Sequence, residues 1–164
     1  MRYMMLVLMS LVLISLTIPT NASHRENRKE KEKEFNCIVE AVYFEARGEP
    51  SIGQRAVVFV ILNRMVHKSF PNTACTVVKQ GRYWRGYPVR NMCHFSYYCD
   101  GRSETIDQSV AYATVKLVVL DAMRIWTKTN VLYYHNTKVA PYWQRKFKRM
   151  FKIGNHIFYG EQND

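Results

Sequence analysis

Three carboxylates, Glu40, Glu45 and Glu49, stand in the run Glu40-Ala-Val-Tyr-Phe-Glu45-Ala-Arg-Gly-Glu49-Pro50, which is otherwise mostly apolar and aromatic. An acidic side chain is seldom buried unless it is paired or functional, so a Glu closing an apolar run is the first place to look for chemistry. The competing reading is three solvated carboxylates on the polar face of a helix. Position separates them. Phe35, Ile38, Val39, Val42 and Ala46 recur at helical spacing, and Gly48 and Pro50 break the pattern, which places Glu45 in the last turn. The carboxyl end of a helix is itself negative and pushes a Glu toward its protonated form, as a proton donor requires. Glu45 is therefore the leading catalytic candidate, with Glu40 a helix residue and Glu49 a brace for the turn around Arg47.

Other reaction classes have no local support. The chain has no G-x-S-x-G elbow, no Gly-rich phosphate loop, no dinucleotide fingerprint and no H-E-x-x-H, so neither a cofactor nor a metal is expected. The five histidines are scattered without ligand spacing. Cys37, Cys75, Cys93 and Cys99 lack the C-x2-4-C pairs of a zinc site, and an even number in an exported chain favours disulfides over a Cys–His nucleophile. Four cysteines allow three pairings. The short Cys93 to Cys99 spacing favours a local bridge, which leaves Cys37 with Cys75, each bridge contributing roughly 2–4 kcal/mol.

The elements that must position these groups can be read in order. Ser51-Ile-Gly-Gln54 has the form of a capping box and opens a second helix to about His67, striped by Ile52, Ala56, Val57, Val60, Ile61 and Met65. The two helices meet at a tight corner that carries Glu45 and Glu49. Its outline resembles a DNA-binding helix-turn-helix, but there is no recognition face. From Ser69 to Glu104 no period is visible. This long segment, rich in Tyr, Trp, Phe and Arg, is expected to be a functional loop stiffened by a cysteine pair, with about half of its rings filling the core. Its remaining rings suit stacking on sugar faces. Thr105-Ile-Asp-Gln108 is a second capping box before Val110 to Ile125, the longest apolar-periodic segment, expected to be the central buried helix. Asn130 to Asn136 reads as a short strand, Pro141 opens a short helix, and Met150 to Tyr159 a hairpin around Gly154-Asn155. The expected class is α+β, mainly α, in one domain.

At the amino terminus, Met4 to Ile18 is almost uniformly apolar, and Thr20 and Ala22 fit the small-residue rule for leader cleavage. Met1 to Ala22 is read as a secretory signal. The alternative, a retained anchor, meets a run shorter than the roughly 20 apolar residues a span needs. Residues 23–34 alternate charges and are expected to be a solvated linker or a frayed helix start, leaving 35–164 as the catalytic domain. A net charge of +11, with basic excess persisting beyond the linker, points to an anionic partner such as peptidoglycan or a lipid surface. Nucleic acid ranks last, because export removes the protein from it and no binding motif is present.

What remains is carboxylate chemistry, which suits glycosidic bonds because protonating the leaving oxygen is the difficult step. The sequence also resembles a known family. Glu45-Ala-Arg-Gly-Glu49, Gly53-Gln54 with Ala56-Val57, Leu62-Asn63-Arg64, Phe70-Pro71, Cys93-x-Phe95-Ser96-x-x-Cys99-Asp100-Gly101, Tyr134-His135-Asn136, Pro141-x-Trp143 and Ile153-Gly154-x-His156-x-Phe158-Tyr159 are similar to motifs of the SleB/CwlJ-type cell wall hydrolases. The resemblance spans nearly the whole domain. It implies a lysozyme-like fold, cleavage between N-acetylmuramic acid and N-acetylglucosamine, and lytic transglycosylase chemistry in which the muramic 6-hydroxyl closes an anhydro ring. It places the catalytic acid at Glu45.

Around Glu45, Glu49 and Arg47 would shape the corner, Ser96 and Asp100 would belong to the disulfide-fixed loop, and Tyr134, His135 and Trp143 would line the cleft or stabilise charge. His94 stands where Gln is expected, and Leu132-Tyr133 where Thr-His is expected. Hydrolysis, as opposed to transglycosylation, would need a second carboxylate, for which Asp100 and Glu49 are candidates. The expected protein is a monomer, exported to the periplasm or wall, acting on peptidoglycan glycan strands with no membrane span once the signal is removed. The alternatives are a non-catalytic peptidoglycan-binding or wall-remodelling protein on the same scaffold, or a cationic membrane-active protein.

Overall fold

The computed structural model describes residues 21–162, so the expected signal over Met1–Ala22 lies almost wholly outside them. Helix α1 (Asn21–Ala46) is longer than its apolar periodicity: the charged residues 23–34 form its exposed first half, continuous with the buried second half from Ile38. Helix α2 (Ser51–Met65) follows the corner. Then come a short helix α3 (Ala74–Val78), the hairpin β1 (Gly81–Trp84) and β2 (Tyr87–Cys93), and a 3-10 turn at Ser96–Cys99. Helix α4 (Ser109–Ile125) leads to β3 (Val131–Asn136), a second 3-10 turn at Tyr142–Lys146, and the hairpin β4 (Lys148–Ile153) and β5 (His156–Gly160). The last three strands form an antiparallel sheet in the order β3-β5-β4. No helix among the described residues is long and apolar enough to cross a membrane.

The central helix is α2, not the longer apolar segment expected to hold that place. Val57, Val58, Val60 and Ile61 are completely buried, and even Gln54, Asn63 and Arg64 are inside. A helix apolar on all sides must be surrounded, and α2 packs against α1, α3, α4 and β3. Helix α4 lies to one side, packed chiefly on α1 and α2. It buries Val115, Val119 and Ala122 in one stripe and leaves Val110, Leu117, Leu120, Met123 and Ile125 exposed.

Neither expected capping box forms. Gln108 caps α4 without a side-chain bond, because Asp107 accepts a hydrogen bond from the buried Tyr43 hydroxyl at 2.8 Å while the Gln108 N–H donates to that same hydroxyl. At α2 the cap is Pro50, and Gln54 donates its amide to the Glu49 carbonyl at 3.1 Å, closing the corner.

Cys37 is bonded to Cys75, tying α1 to α3, and Cys93 to Cys99, tying β2 to the 3-10 turn. Within the segment expected to be an irregular loop, β1 and β2 are joined by Arg85 and Gly86, both at positive φ. That pair of conformations is a type I′ hairpin turn, usually written Asn-Gly. The hairpin at Gly154-Asn155 occurs where the sequence places it.

Candidate active site

Glu45 occupies the last turn of α1, half-buried. Its Oε1 accepts hydrogen bonds from the Ser96 hydroxyl at 3.2 Å and the Tyr97 backbone N–H at 3.4 Å. The 3-10 turn is held there by the Cys93–Cys99 bridge, by Phe95, which is fully buried, and by Tyr97 stacked on Phe44 with ring centres 5.0 Å apart. The Tyr134 hydroxyl is sealed beside the same carboxyl and interacts with it electrostatically, but without a hydrogen bond of ordinary geometry. Desolvation pushes the Glu45 carboxyl above its ordinary range, and the donors at Tyr97, Ser96 and Tyr134 oppose this without cancelling it. A carboxyl so held keeps its proton longer than a solvated Glu and has donors ready for the carboxylate it becomes.

Two cavities are lined by neighbours of Glu45. Ser96 and Tyr97, which hold its carboxyl, line one of about 340 Å³, together with Arg47, Asp100, Glu104 and Asp107. Tyr134, on the other flank, lines one of about 500 Å³ with Arg64, His94, Tyr133 and Trp143. Glu45 itself stands behind these neighbours, one carboxyl held between the two linings. A larger apolar groove of about 670 Å³ lies beside the charged half of α1 and contains none of these groups.

The structure brings Arg47, Ser96 and Asp100 together in one half of the cleft and Tyr134 and Trp143 in the other. Two expected residues are elsewhere. Glu49 turns away from the cleft: its carboxylate accepts from the Asn155 N–H at 2.9 Å and the Asn155 side-chain amide at 3.0 Å, in the β4–β5 turn. A Cβ at Gly154 would collide with that carboxylate, so the turn is built around it. Glu49 therefore fastens the α1–α2 corner to the hairpin, which removes it as a second catalytic carboxylate. His135 is buried on the opposite side of β3 from Tyr134, with Nδ1 against the Asn136 carbonyl and Nε2 against the Tyr159 hydroxyl, both at 2.9 Å. Successive strand residues face opposite ways, so the two neighbours cannot share the cleft.

Arg64 belongs to the site although sequence reasoning assigned it no role. It stands at the end of α2, 5% exposed, donating Nε–H to the Leu132 carbonyl at 2.7 Å. Its guanidinium lies over Phe70, Phe95 and Tyr133, 5.0, 5.4 and 5.6 Å from their ring centres. The signal that drew attention to Glu45, a charge at the end of an apolar run, was equally present at Arg64. His94, Leu132 and Tyr133, the positions that depart from the expected pattern, all touch or flank this arginine. Its neighbour Asn63 is structural, bonded through both ends of its amide to Thr129, Val131 and Trp126.

Residues 48–159 match the model of the Cell Wall Hydrolase family, a stretch that begins just after Glu45. The spore cortex-lytic enzyme of Bacillus cereus is 37% identical over 131 residues, which cover 77% of this chain and 44% of that protein. The chain thus spans less than half the length of the curated relatives it matches. Among solved structures, the catalytic domain of the germination-specific lytic transglycosylase SleB from Bacillus anthracis superposes with a TM-score of 0.57 at 35% identity, covering 77% of this chain and 93% of that domain. The catalytic domain of the Bacillus cereus SleB protein gives a TM-score of 0.58 at 35% identity, covering 78% and 90%.

Proposed function

This chain belongs to the cell wall hydrolase family, and from that premise we propose that it is an exported enzyme that cleaves peptidoglycan glycan strands between N-acetylmuramic acid and N-acetylglucosamine, with Glu45 as the proton donor. The observation that carries the reading is one half-buried carboxyl, raised by desolvation, whose immediate neighbours Ser96, Tyr97 and Tyr134 line two cavities. The solved relatives, one of them named a lytic transglycosylase, support the same chemistry.

Protonated Glu45 hands its proton to the glycosidic oxygen as the bond to the muramic C1 breaks and positive charge develops on that sugar. The carboxylate left behind accepts from Ser96 and Tyr97, with the Tyr134 hydroxyl beside it, which stabilises the charge just created. In the second half the carboxylate removes a proton from the muramic 6-hydroxyl as that oxygen attacks C1 and closes the anhydro ring. A hydrolase would instead direct a water with a second carboxylate. Glu49 is committed to the hairpin, and one solved relative is named a lytic transglycosylase, which supports transglycosylation over hydrolysis.

The test is digestion of isolated sacculi by the wild type and by Glu45→Gln, followed by mass analysis of the released fragments. Anhydro-muropeptides from the wild type and their loss in a folded Glu45→Gln are expected. Reducing-end products would make the enzyme a hydrolase, and undiminished release by Glu45→Gln would remove Glu45 from the reaction.

A further inference from the structure

The cavity of about 500 Å³ beside Tyr134 is lined by a buried cation, Arg64, that has no ion-pair partner among the described residues. Only Nε of the Arg64 guanidinium has a protein acceptor, the Leu132 carbonyl, and Nη1 is enclosed with none. Burial pushes its pKa down to about 10, so at neutral pH it remains charged. An unpaired buried cation costs several kcal/mol, and the faces of Phe70, Phe95 and Tyr133 return only part of that. The charge of Glu45, when ionised, is felt at Arg64, but the two form no ion pair, and in the state that donates a proton Glu45 is neutral. The two halves of the cleft also differ in charge. Asp100, Glu104 and Asp107 face Arg47 and Arg102 on the other side of Glu45, whereas no Asp or Glu lines the cavity of Arg64.

We propose that Arg64 forms an anion subsite that receives a carboxylate of the glycan substrate, drawing the carboxylate-bearing muramic sugar into this half of the cleft. The inference rests on the glycan-cleaving reading above and adds a direction to it. A guanidinium with unmet N–H groups matches a carboxylate in charge and geometry. The carboxylate has two possible sources: the lactyl group of a muramic sugar whose stem peptide is absent, since an attached peptide converts that carboxyl to an amide, or the acids of the stem peptide itself.

The experiment measures binding of Glu45→Gln and cleavage by the wild type on two soluble glycan preparations, one stripped of stem peptides and one carrying them. Each is used untreated and with its carboxylates converted to amides. The expected result is that amidation weakens binding by roughly tenfold or more, the scale of one charge-assisted contact. A loss on the stripped strands identifies the lactyl group, and a loss confined to the peptide-bearing strands identifies the stem. Arg64→Lys should keep part of the preference for untreated strands and Arg64→Gln should abolish it. Equal binding of amidated and untreated strands that are still cleaved would overturn the subsite alone. Strands neither bound nor cleaved in any form would overturn the proposed function and the subsite with it. The amidation arms use native Arg64, so they decide the matter even if its variants fail to fold.

Discussion

At the end of α1 the Glu45 carboxylate accepts two long hydrogen bonds, 3.2 and 3.4 Å, from residues that line a cavity. On the far side of the same corner, Glu49 accepts bonds of 2.9 and 3.0 Å from one residue of the β4–β5 turn. Both side chains come from one short acidic motif. The difference teaches that satisfaction, more than burial, separates a structural carboxylate from a chemical one. Glu49 has both oxygens engaged by donors that join two parts of the fold. Glu45 has desolvation without full compensation, which holds its carboxyl above the ordinary range.

Removing the carboxyl at Glu45 is the most direct way to break this contrast. Glu45→Gln should lower the rate of glycan cleavage by roughly a hundredfold to ten-thousandfold, the span attributed to a positioned general acid, with the circular dichroism spectrum unchanged. If Glu49→Gln, when folded, lost as much activity, the two carboxylates would have to be ranked together.

The disulfides come next in size and separate the same two functions. In the loop-entropy account, opening Cys37–Cys75, which spans 38 residues, should cost roughly 4 kcal/mol, and opening Cys93–Cys99, which spans 6, roughly 2 kcal/mol. The smaller loss should be the one that depresses activity per folded molecule, because that bridge fixes the turn carrying Ser96 and Tyr97. Denaturation midpoints paired with sacculus-release rates on the two Cys→Ser pairs check the crossing of effects.

Glu49→Ala should destabilise the protein by about 0.5–1.5 kcal/mol through the lost bonds to Asn155, whose exposed donors water can then satisfy, with little change in kcat for the folded fraction. A variant with full stability and lost activity would move Glu49 from the hairpin to the chemistry.

The smallest effect lies in pH. Because the folded-state pKa of Glu45 is raised above its ordinary 4.5, the stability this group contributes is fully present below that pH and lost as pH rises through the folded value. Glu45→Gln should therefore be more stable than the wild type at neutral pH, with the two converging as pH falls toward about 4.5. Melting curves across this range test it, and a variant less stable than the wild type at pH 7 would mean that the donors outweigh desolvation.

Much of this was readable from residue order. The helix ending at Ala46, the strand from Val131, and the turn at Gly154 follow from periodicity and turn chemistry. The hairpin at Arg85-Gly86 was not, because its first central residue takes positive φ without the Asn or Gly that announces one. Both capping boxes failed because their side chains found other partners: Gln54 donates to the Glu49 carbonyl, and Thr105 pairs with Ser103 ahead of a helix that begins only at Ser109. Helix α4 was mistaken for the centre because apolar content says what a helix can bury, not how many neighbours surround it.

The sequence by itself determined that a carboxylate would close an apolar helix at a sharp corner, and that several short elements would follow in a set order. Which carboxylate would stay available, and that a buried arginine would face it across Tyr134, was decided only by tertiary structure. The deciding partners, Ser96 for Glu45, Asn155 for Glu49 and Leu132 for Arg64, lie far along the chain. Local spacing sets where a side chain leaves its helix, but the donors and acceptors it meets are supplied by whatever the folded core brings opposite.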